Sequence, residues 1–223
     1  MGSDISENAT NRAYKAIKDM IAQYQLVPEQ KIVYEQLAQK IKLSTTPIIN
    51  ALYRLEQEEF VSYVPNRGFI VKSIGVEEVI ELFEVREALE RQMIVSSIKN
   101  QNALMMNNIE KAMIAHRENH HNVVTRKRQA SDASFHLKIA EMSGNKSLTR
   151  ILRHVFEHIY FRHRNEIIQP ERLDSAEVEH QKIFDAIKDK NIGEAMKLVV
   201  EHVRAAKFST LDGIQKTSEE IGF

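Results

Sequence analysis

The sequence predicts a mostly α-helical protein with two domains and one short β-hairpin near the N-terminus. Apolar residues recur at helical spacing along most of the 223-residue chain. Glycine and proline, which interrupt helices, are scarce, with seven and four copies. Two short runs rich in β-branched and aromatic residues flank a turn at 65–68 and predict the hairpin. The length suits two domains better than one or three.

Composition narrows the classes of protein to which the chain can belong. Cysteine is absent, which excludes disulfides and thiolate metal ligands. No apolar run approaches the roughly 20 residues that a membrane-spanning helix needs, and the N-terminus has no signal-peptide pattern. We therefore expect a cytoplasmic protein without membrane contact, and a loose leader at Met1–Asn8.

Residues 10–72 are predicted to form a winged helix-turn-helix domain. The first helix covers Thr10–Tyr24 and the second Tyr34–Ile41. A third helix follows the turn at 43–44 and places Leu52 and its apolar neighbours inward, and the hairpin comes next. This order of elements usually enters the major groove of DNA, so the sequence indicates a regulator rather than an enzyme.

The outward face of the third helix and the hairpin tip supply the predicted DNA contacts. Asn50 can make a bidentate contact with adenine, and Ile49 can meet a thymine methyl group. The full predicted set is Thr45, Thr46, Ile49, Asn50, Arg54, Arg67 and Gly68. Nine lysines and arginines stand against six acids in residues 10–72, a weakly basic balance that dimerisation would double. The alternative is a winged helix that contacts proteins, with these residues solvated.

Residues 76–212 are predicted to form an all-helical bundle of about six helices after a linker at 72–75. A methionine-rich stripe around Met105 and Met113 is expected in its core. The histidines at the following helix end are expected in a solvated loop, and a run of three basic residues is expected on an exposed face. These two groups are His116, His120 and His121, and Arg126, Lys127 and Arg128.

Four polar residues lie on core-facing stripes of three predicted helices and suggest a metal site: Asp132, His136, His180 and His202. Asp132 and His136 are one helical turn apart, so their side chains share a face. Burying these groups without partners is unfavourable, and one divalent cation satisfies all of them. Zinc is the first choice, with nickel, manganese and iron left open. Any one of these histidines alone would more often be a core histidine with a protein partner.

An inward arginine beside such a site can anchor a small carboxylate effector. Arg86 lies on the inner side of the first helix of the bundle, and the alternative is a buried ion pair with Glu90. Asn145 is expected to cap the next helix and to border the same pocket. His154 and His158 are expected to support the ligands of the site or to play structural roles, rather than to bind the metal themselves.

Several motifs resemble a known family. Leu37-Ala38, Ser44-x-Thr46-Pro47, Ala51-Leu52-x-x-Leu55 and Asn66-Arg67-Gly68-Phe69-x-Val71 resemble the GntR family of bacterial transcription regulators. Leu82-Phe83-Glu84-Val85-Arg86-x-x-Leu89-Glu90 resembles the start of the all-helical effector (FCD) domain of its FadR-like subfamily. The resemblance implies that Asp132, His136, His180 and His202 match the metal ligands of metal-binding members, and that the counterpart of Arg86 faces the pocket.

The chain departs from the family pattern on the expected DNA-contacting face. The family usually has arginine at the positions of Thr45 and Ile49, and glutamate at that of Asn50. It usually has an acid at the position of Tyr34, and commonly a basic residue at that of Glu35. These differences imply either an unusual operator or weak DNA binding.

Together these features predict a homodimeric transcription regulator, most simply a repressor. It would bind a palindromic operator in double-stranded DNA and respond to a small carboxylate bound at or near a divalent metal. One alternative is a metal-dependent enzyme, although no residue stands out as a general base. Another is a constitutive repressor whose metal is purely structural.

Overall fold

The computed structural model describes residues 8–118, 126–162 and 170–221. The chain divides into two compact units, Met1–Ser73 with Phe161–Arg164, and Ile74–Tyr160 with Asn165–Phe223. The leader expected at Met1–Asn8 lies outside the described residues, except for Asn8. Asn8 is not loose, because its Oδ1 accepts a hydrogen bond from the backbone N–H of Thr10 (3.0 Å) and caps the first helix.

The first unit contains three helices and a two-stranded antiparallel sheet. They are α1 (Ala9–Ala22), α2 (Tyr34–Ile41), α3 (Thr45–Gln57), β1 (Val61–Val64) and β2 (Gly68–Val71). The strands pair from Val61 with Val71 to Val64 with Gly68. Gly68 closes the turn with a φ of +81°, a value that glycine adopts without strain. The predicted order of helices and hairpin is confirmed.

The core of the first unit forms where α1, α3 and the hairpin meet. The apolar residues of α3 recur every three or four positions, so they all fall on one face. The fully buried side chains include Ile17, Ile21, Ile48, Leu52, Phe60 and Phe69. Burying this face leaves the opposite side of α3 in contact with solvent.

The second unit is an all-helical bundle, as predicted, with six helices in its described residues. They are α4 (Val76–Asn100), α5 (Ala103–Glu118), α6 (Arg126–Met142), α7 (Lys146–Phe161), α8 (Pro170–Lys188) and α9 (Ile192–Ile221). Helix α4 packs along α6 and α9, and α8 packs against α5 and α9. The core between them is apolar, with Met93, Ile109, Phe135, Ile139, Leu152, Ile183 and Val199 among its buried residues. Among the described helices, none is long and apolar enough to span a lipid bilayer.

Two residues expected at the surface are buried instead. His116 is only 1% exposed, and its ring lies 5.2 Å from that of His180. Arg128 is 3% exposed, because its Nη2 donates to Asp174 (2.7 Å) and Glu177 (3.2 Å) on α8. The packing of α8 over the ends of α5 and α6 therefore covers residues that local sequence placed in solvent. His120 and His121 lie outside the described residues, as does the side chain of Arg126.

Candidate metal centre and DNA-contacting surface

Four polar side chains from three helices of the second unit converge on one buried point. Asp132 and His136 come from α6, His180 from α8 and His202 from α9, and all four are buried. One donor atom of each lies within 4.8 Å of the others. The structure thus brings together the four residues that the sequence singled out as metal ligands.

Two glutamates orient the rings of His136 and His202. Nδ1 of His136 lies 2.7 Å from Oε2 of Glu90, and Nδ1 of His202 lies 2.7 Å from Oε2 of Glu179. A carboxylate can only accept hydrogen bonds, so each Nδ1 is assigned the ring proton and donates it. Each Nε2 then carries a lone pair, and the two Nε2 atoms face each other at 3.1 Å.

The protonation states of the cluster suit metal binding. Burial lowers the pKa of His180 and His202 well below the usual value, so both imidazoles are neutral at pH 7. Burial raises the pKa of Asp132, but attraction to His180, His136 and His116 when these rings are protonated, and to Arg86, outweighs burial and holds that pKa below its usual range. Neutral imidazoles and an ionised carboxylate are the forms that bind metal ions.

Aromatic side chains support the other two members of the cluster. The Tyr160 hydroxyl donates a hydrogen bond to Oδ2 of Asp132. The ring of His180 stacks on Phe135, with 4.2 Å between the ring centroids. Nε2 of His180 lies 3.4 Å from Oδ1 of Asp132, but neither ring nitrogen of His180 makes a hydrogen bond within the described residues. Fully buried nitrogens without a partner are uncommon in proteins, and a bound ion or water would supply the missing contact.

The spacing of these donor atoms fits a divalent transition metal. Zinc–nitrogen bonds are about 2.0–2.1 Å long, so two donors on one ion stand roughly 3–4 Å apart. The 3.1 Å between the Nε2 atoms of His136 and His202 falls in this range, as does the 3.4 Å between His180 and Asp132. Two lone pairs that face each other repel unless a cation or a donor lies nearby. Nη2 of Arg86 lies 3.3 Å from Nε2 of His136 and 3.5 Å from Nε2 of His202, so this guanidinium already offers the two nitrogens a donor, and a metal bound between them would take its place. Three nitrogens and one oxygen suit zinc, nickel, manganese and iron.

Arg86 reaches the same point from α4. It is fully buried, its Nε donates to Oε1 of Glu90 (2.7 Å), and its Nη2 lies 3.3 Å from Nε2 of His136. Within the described residues, its Nη1 is buried without a hydrogen-bond partner. The ion pair with Glu90 is therefore present, and the role of Arg86 in binding an effector stays a prediction.

Asn145 and the paired histidines of α7 lie elsewhere. Asn145 is exposed, and its Oδ1 accepts from the backbone N–H of Leu148 (3.0 Å), so it caps α7 as expected. The structure does not bring Asn145 to the cluster. Helix α6 ends at Met142, six residues and about 9 Å beyond His136 at 1.5 Å per residue, and Asn145 follows that end. His154 is exposed and His158 buried, their rings 4.2 Å apart.

The predicted DNA-contacting residues lie on the solvent side of the first unit. Thr46 and Asn50 are exposed on α3, and Thr45 and Ile49 are half-buried beside them. Arg67 is exposed in the turn of the hairpin, next to Gly68.

Arg54 differs from its neighbours because contacts within the unit hold it. Its Nε donates to Glu58 (3.3 Å) and its Nη1 to Asn11 (3.2 Å). Its guanidinium carbon lies 3.8 Å from the ring centroid of Tyr14, a cation–π contact. The structure therefore ties this side chain to α1.

Sequence patterns did not assign either glutamate to a histidine of the cluster. They indicated Glu90 only as a buried partner of Arg86, although Glu90 lies on the same inward face of α4 as Phe83 and also contacts His136. Glu179 directly precedes His180 in the chain but contacts His202 on another helix. Only the packing of α8 against α9 reveals that contact.

Comparison with known proteins agrees with this architecture. The family model for the FCD domain matches residues 81–205, more than half of the chain, and that for bacterial regulatory proteins of the gntR family matches residues 9–71. The chain is 26% identical over 194 residues to the Bacillus subtilis HTH-type transcriptional regulator YdhC, covering 85% of each protein.

Two further proteins extend the similarity over nearly the whole chain. The Nta operon transcriptional regulator of Aminobacter aminovorans is 24% identical over 202 residues, covering 91% of this chain and 94% of that protein. The solved structure of McbR/YncC from E. coli superposes with a TM-score of 0.79 at 18% identity, covering 92% of this chain and 97% of that one. The chain belongs to the gntR family of bacterial regulatory proteins, with an FCD domain as its C-terminal part.

Proposed function

We propose that the protein is a cytoplasmic, homodimeric transcription regulator, most simply a repressor. Residues 10–72 bind a palindromic operator in double-stranded DNA. Residues 76–212 bind a small carboxylate at or near a divalent transition metal, and this binding changes the affinity for DNA. Zinc is the first candidate for the metal, and nickel, manganese and iron are the alternatives.

The observation that carries the effector proposal is the buried cluster with Arg86 beside it. Asp132, His136, His180 and His202 would hold the metal, which would supply a Lewis-acid position for an oxygen ligand. Nη1 of Arg86 is buried and has no hydrogen-bond partner among the residues that the structure describes, and an arginine binds a carboxylate through charge-assisted hydrogen bonds. A small carboxylate satisfies both the arginine and a cation held by the cluster.

The outward face of α3 and the hairpin turn support the DNA-binding part of the proposal. Thr46, Asn50 and Arg67 are exposed, and Thr45, Ile49 and Gly68 lie next to them. A two-fold dimer presents two such surfaces, so its operator is a pair of inverted half-sites. The effector can change DNA affinity only if it prefers one dimer geometry over another.

Two other functions are compatible with a metal in this cluster. A metal-dependent enzyme would need a general base beside an open coordination position. Within the described residues, the glutamates next to the cluster already accept hydrogen bonds from His136 and His202. A constitutive repressor with a structural metal would lose its fold, rather than its regulation, when the metal is removed.

DNA binding measured with and without metal and effector tests the proposal. An operator is first obtained by selection from a random duplex library, and its affinity for the full-length chain is measured with zinc-loaded and chelator-treated protein. A panel of small mono-, di- and tricarboxylates is then added. We expect at least one carboxylate to change DNA affinity by about 5- to 150-fold, the usual size of an allosteric coupling.

The variant Arg86→Met keeps a buried unbranched side chain but removes the guanidinium, and its metal content is measured as well, because the substitution leaves the carboxylate of Glu90 buried without its arginine. It should bind the operator and lose the response to the carboxylate. DNA binding that is insensitive to every carboxylate, with metal present or absent, would favour the constitutive repressor. A circular dichroism spectrum of Arg86→Met establishes that the variant is folded.

A further inference from the structure

The solvent side of α3 holds an uncharged strip that lies between exposed Arg54 and half-buried Glu56. Thr46, Asn50 and Tyr53 are exposed on this face, and Ile49 is half-buried among them. These residues recur at helical spacing, so their side chains form one strip along the helix. The strip offers methyl groups, a hydroxyl, an amide and a phenol, and no ionised group.

Arg54 is the only lysine or arginine of α3, and although it is exposed, its contacts tie it to α1 and to the residue that follows α3. Two of its nitrogens donate to Glu58 and Asn11, and the guanidinium covers the ring of Tyr14. Glu58 itself also accepts a hydrogen bond from the Tyr14 hydroxyl (2.6 Å). Bidentate recognition of guanine needs two guanidinium nitrogens, so Arg54 would have to give up contacts that join α3 to α1.

Three aromatic rings extend the uncharged surface from α3 to the hairpin. Buried Phe69 lies edge-on to Tyr53 (5.1 Å between ring centroids) and to Tyr63 on β1 (5.3 Å). Tyr53 and Tyr63 are 48% and 47% exposed. This packing fixes the Tyr53 ring within the strip and the Tyr63 ring next to it, with 6.4 Å between the two ring centroids.

Each base offers a different pattern in the major groove. Guanine is read chiefly by arginine or lysine, adenine by the bidentate amide of asparagine or glutamine, and thymine through contact of its methyl group with apolar side chains. The strip holds the residues for adenine and thymine. Resting on the DNA-binding function proposed above, we propose that α3 reads A·T base pairs, with Asn50 bound to adenine and Ile49 packed on a thymine methyl group.

Selection of binding sites tests this specificity without a known operator. Full-length protein is used to enrich duplexes from a random library over several rounds, and the bound sequences are aligned. We expect inverted half-sites whose most constrained positions are A·T pairs. Half-sites with invariant G·C pairs at the most constrained positions would overturn the proposal but leave the DNA-binding function intact. Absence of any enrichment would overturn both.

Base analogues assign each contact to its residue. Replacing thymine by uracil removes only the methyl group, and replacing adenine by 7-deazaadenine removes the N7 acceptor. The uracil duplex should bind the wild-type chain more weakly, and Ile49→Ala should abolish this difference. The 7-deazaadenine duplex should lose affinity by about 5- to 150-fold, the range expected for a bidentate base contact, and Asn50→Ala should be insensitive to the change.

Thr45→Ala serves as the comparison, since Thr45 adjoins the strip without a base assigned to it. Its sensitivity to both analogues should equal that of the wild-type chain. Equal analogue sensitivity of the wild-type chain, Ile49→Ala and Asn50→Ala would overturn the assignment. Ile49 and Asn50 are not fully buried, and each variant's thermal unfolding curve shows whether it remains folded.

Discussion

At the scale of single residues, two hydrogen-bonded networks lie next to the buried cluster, and each consists of a histidine, a glutamate and an arginine. His136 contacts Glu90, which contacts Arg86, and His202 contacts Glu179, which accepts from Arg172 (2.8 Å). In each network the carboxylate fixes the tautomer of the imidazole, and the arginine balances the charge of the carboxylate. Such partners raise the basicity of a metal-binding histidine and restrict its ring.

The substitution Glu179→Gln should weaken metal binding without unfolding the protein. Glu179 is partly exposed, so its replacement leaves no fully buried charge, but His202 loses the charged acceptor that orients it. We expect a loss of roughly 10- to 100-fold in metal affinity, as for comparable partners of metal-binding histidines. Competition with a chromophoric chelator measures it.

Glu177→Gln is the matched control for this experiment. Glu177 lies on the same helix and also binds an arginine, Arg128, but it contacts no histidine of the cluster, and Asp174 shares its partner. Its metal affinity should stay within about twofold of wild type, because it has no hydrogen bond to a metal-site histidine. Equal losses of metal affinity in the two variants would show that Glu179 acts only through its negative charge and not by orienting His202.

The residues that could be foreseen are those whose position depends on helical spacing alone. Asp132 and His136 share a face because they are one turn apart, and Arg86 lies inward for the same reason. The partners of these residues could not be foreseen, since Glu179 and Tyr160 reach the cluster from other helices. Contacts between helices depend on packing that local periodicity does not encode.

At the scale of elements, Asn145 caps the start of α7 and does not belong to the buried cluster. Asn145 accepts from the backbone N–H of Leu148, and the preceding Gly144 has a φ of +72° that turns the chain out of α6. Sequence spacing correctly predicted the cap.

Asn145→Ala should lower the free energy of unfolding by about 0.5–2 kcal/mol, the usual cost of losing an N-cap. Asn145→Asp keeps a side-chain acceptor and should fall within about 0.5 kcal/mol of the wild-type chain. Urea denaturation followed by circular dichroism measures both. Metal affinity and the carboxylate response should be unchanged in Asn145→Ala. Loss of the carboxylate response would show that Asn145 contributes to effector binding.

The helices and hairpin were more predictable than the burial of their ends. Helix α2 begins at Tyr34 and ends at Ile41, as its sequence pattern predicted. Its inward-facing apolar residues mark the helix, and loop residues flank it on both sides. His116, at the end of α5, was misplaced because α8 covers it. The local sequence does not indicate whether a helix that is distant in sequence will cover the end of another helix.

At the scale of the whole molecule, metal binding should be coupled to the stability of the second unit. The donors come from α6, α8 and α9, which are distant in sequence and form the metal site only when the bundle is folded. A metal at 100 times its dissociation constant stabilises the folded chain by about 2.7 kcal/mol if it does not bind the unfolded chain.

Thermal unfolding with zinc and with excess chelator tests this coupling. We expect a higher unfolding temperature with zinc in the wild-type chain and no zinc-dependent shift in His136→Ala. An identical curve for the wild-type chain in zinc and in chelator would contradict the coupling. A wild-type chain that is already unfolded in chelator at 25 °C would identify the metal as structural.

The measurement that tests the central claim most directly is the metal content of the purified full-length chain, after reconstitution with zinc and removal of loosely bound ions. Elemental analysis should find about one equivalent of transition metal per wild-type chain, as a single site with four protein donors requires. His158→Ala, which changes a buried histidine outside the cluster, should retain the metal, and the double variant His136→Ala/His180→Ala should lose it. A wild-type chain without metal, or a double variant with as much metal as the wild-type chain, would contradict the account.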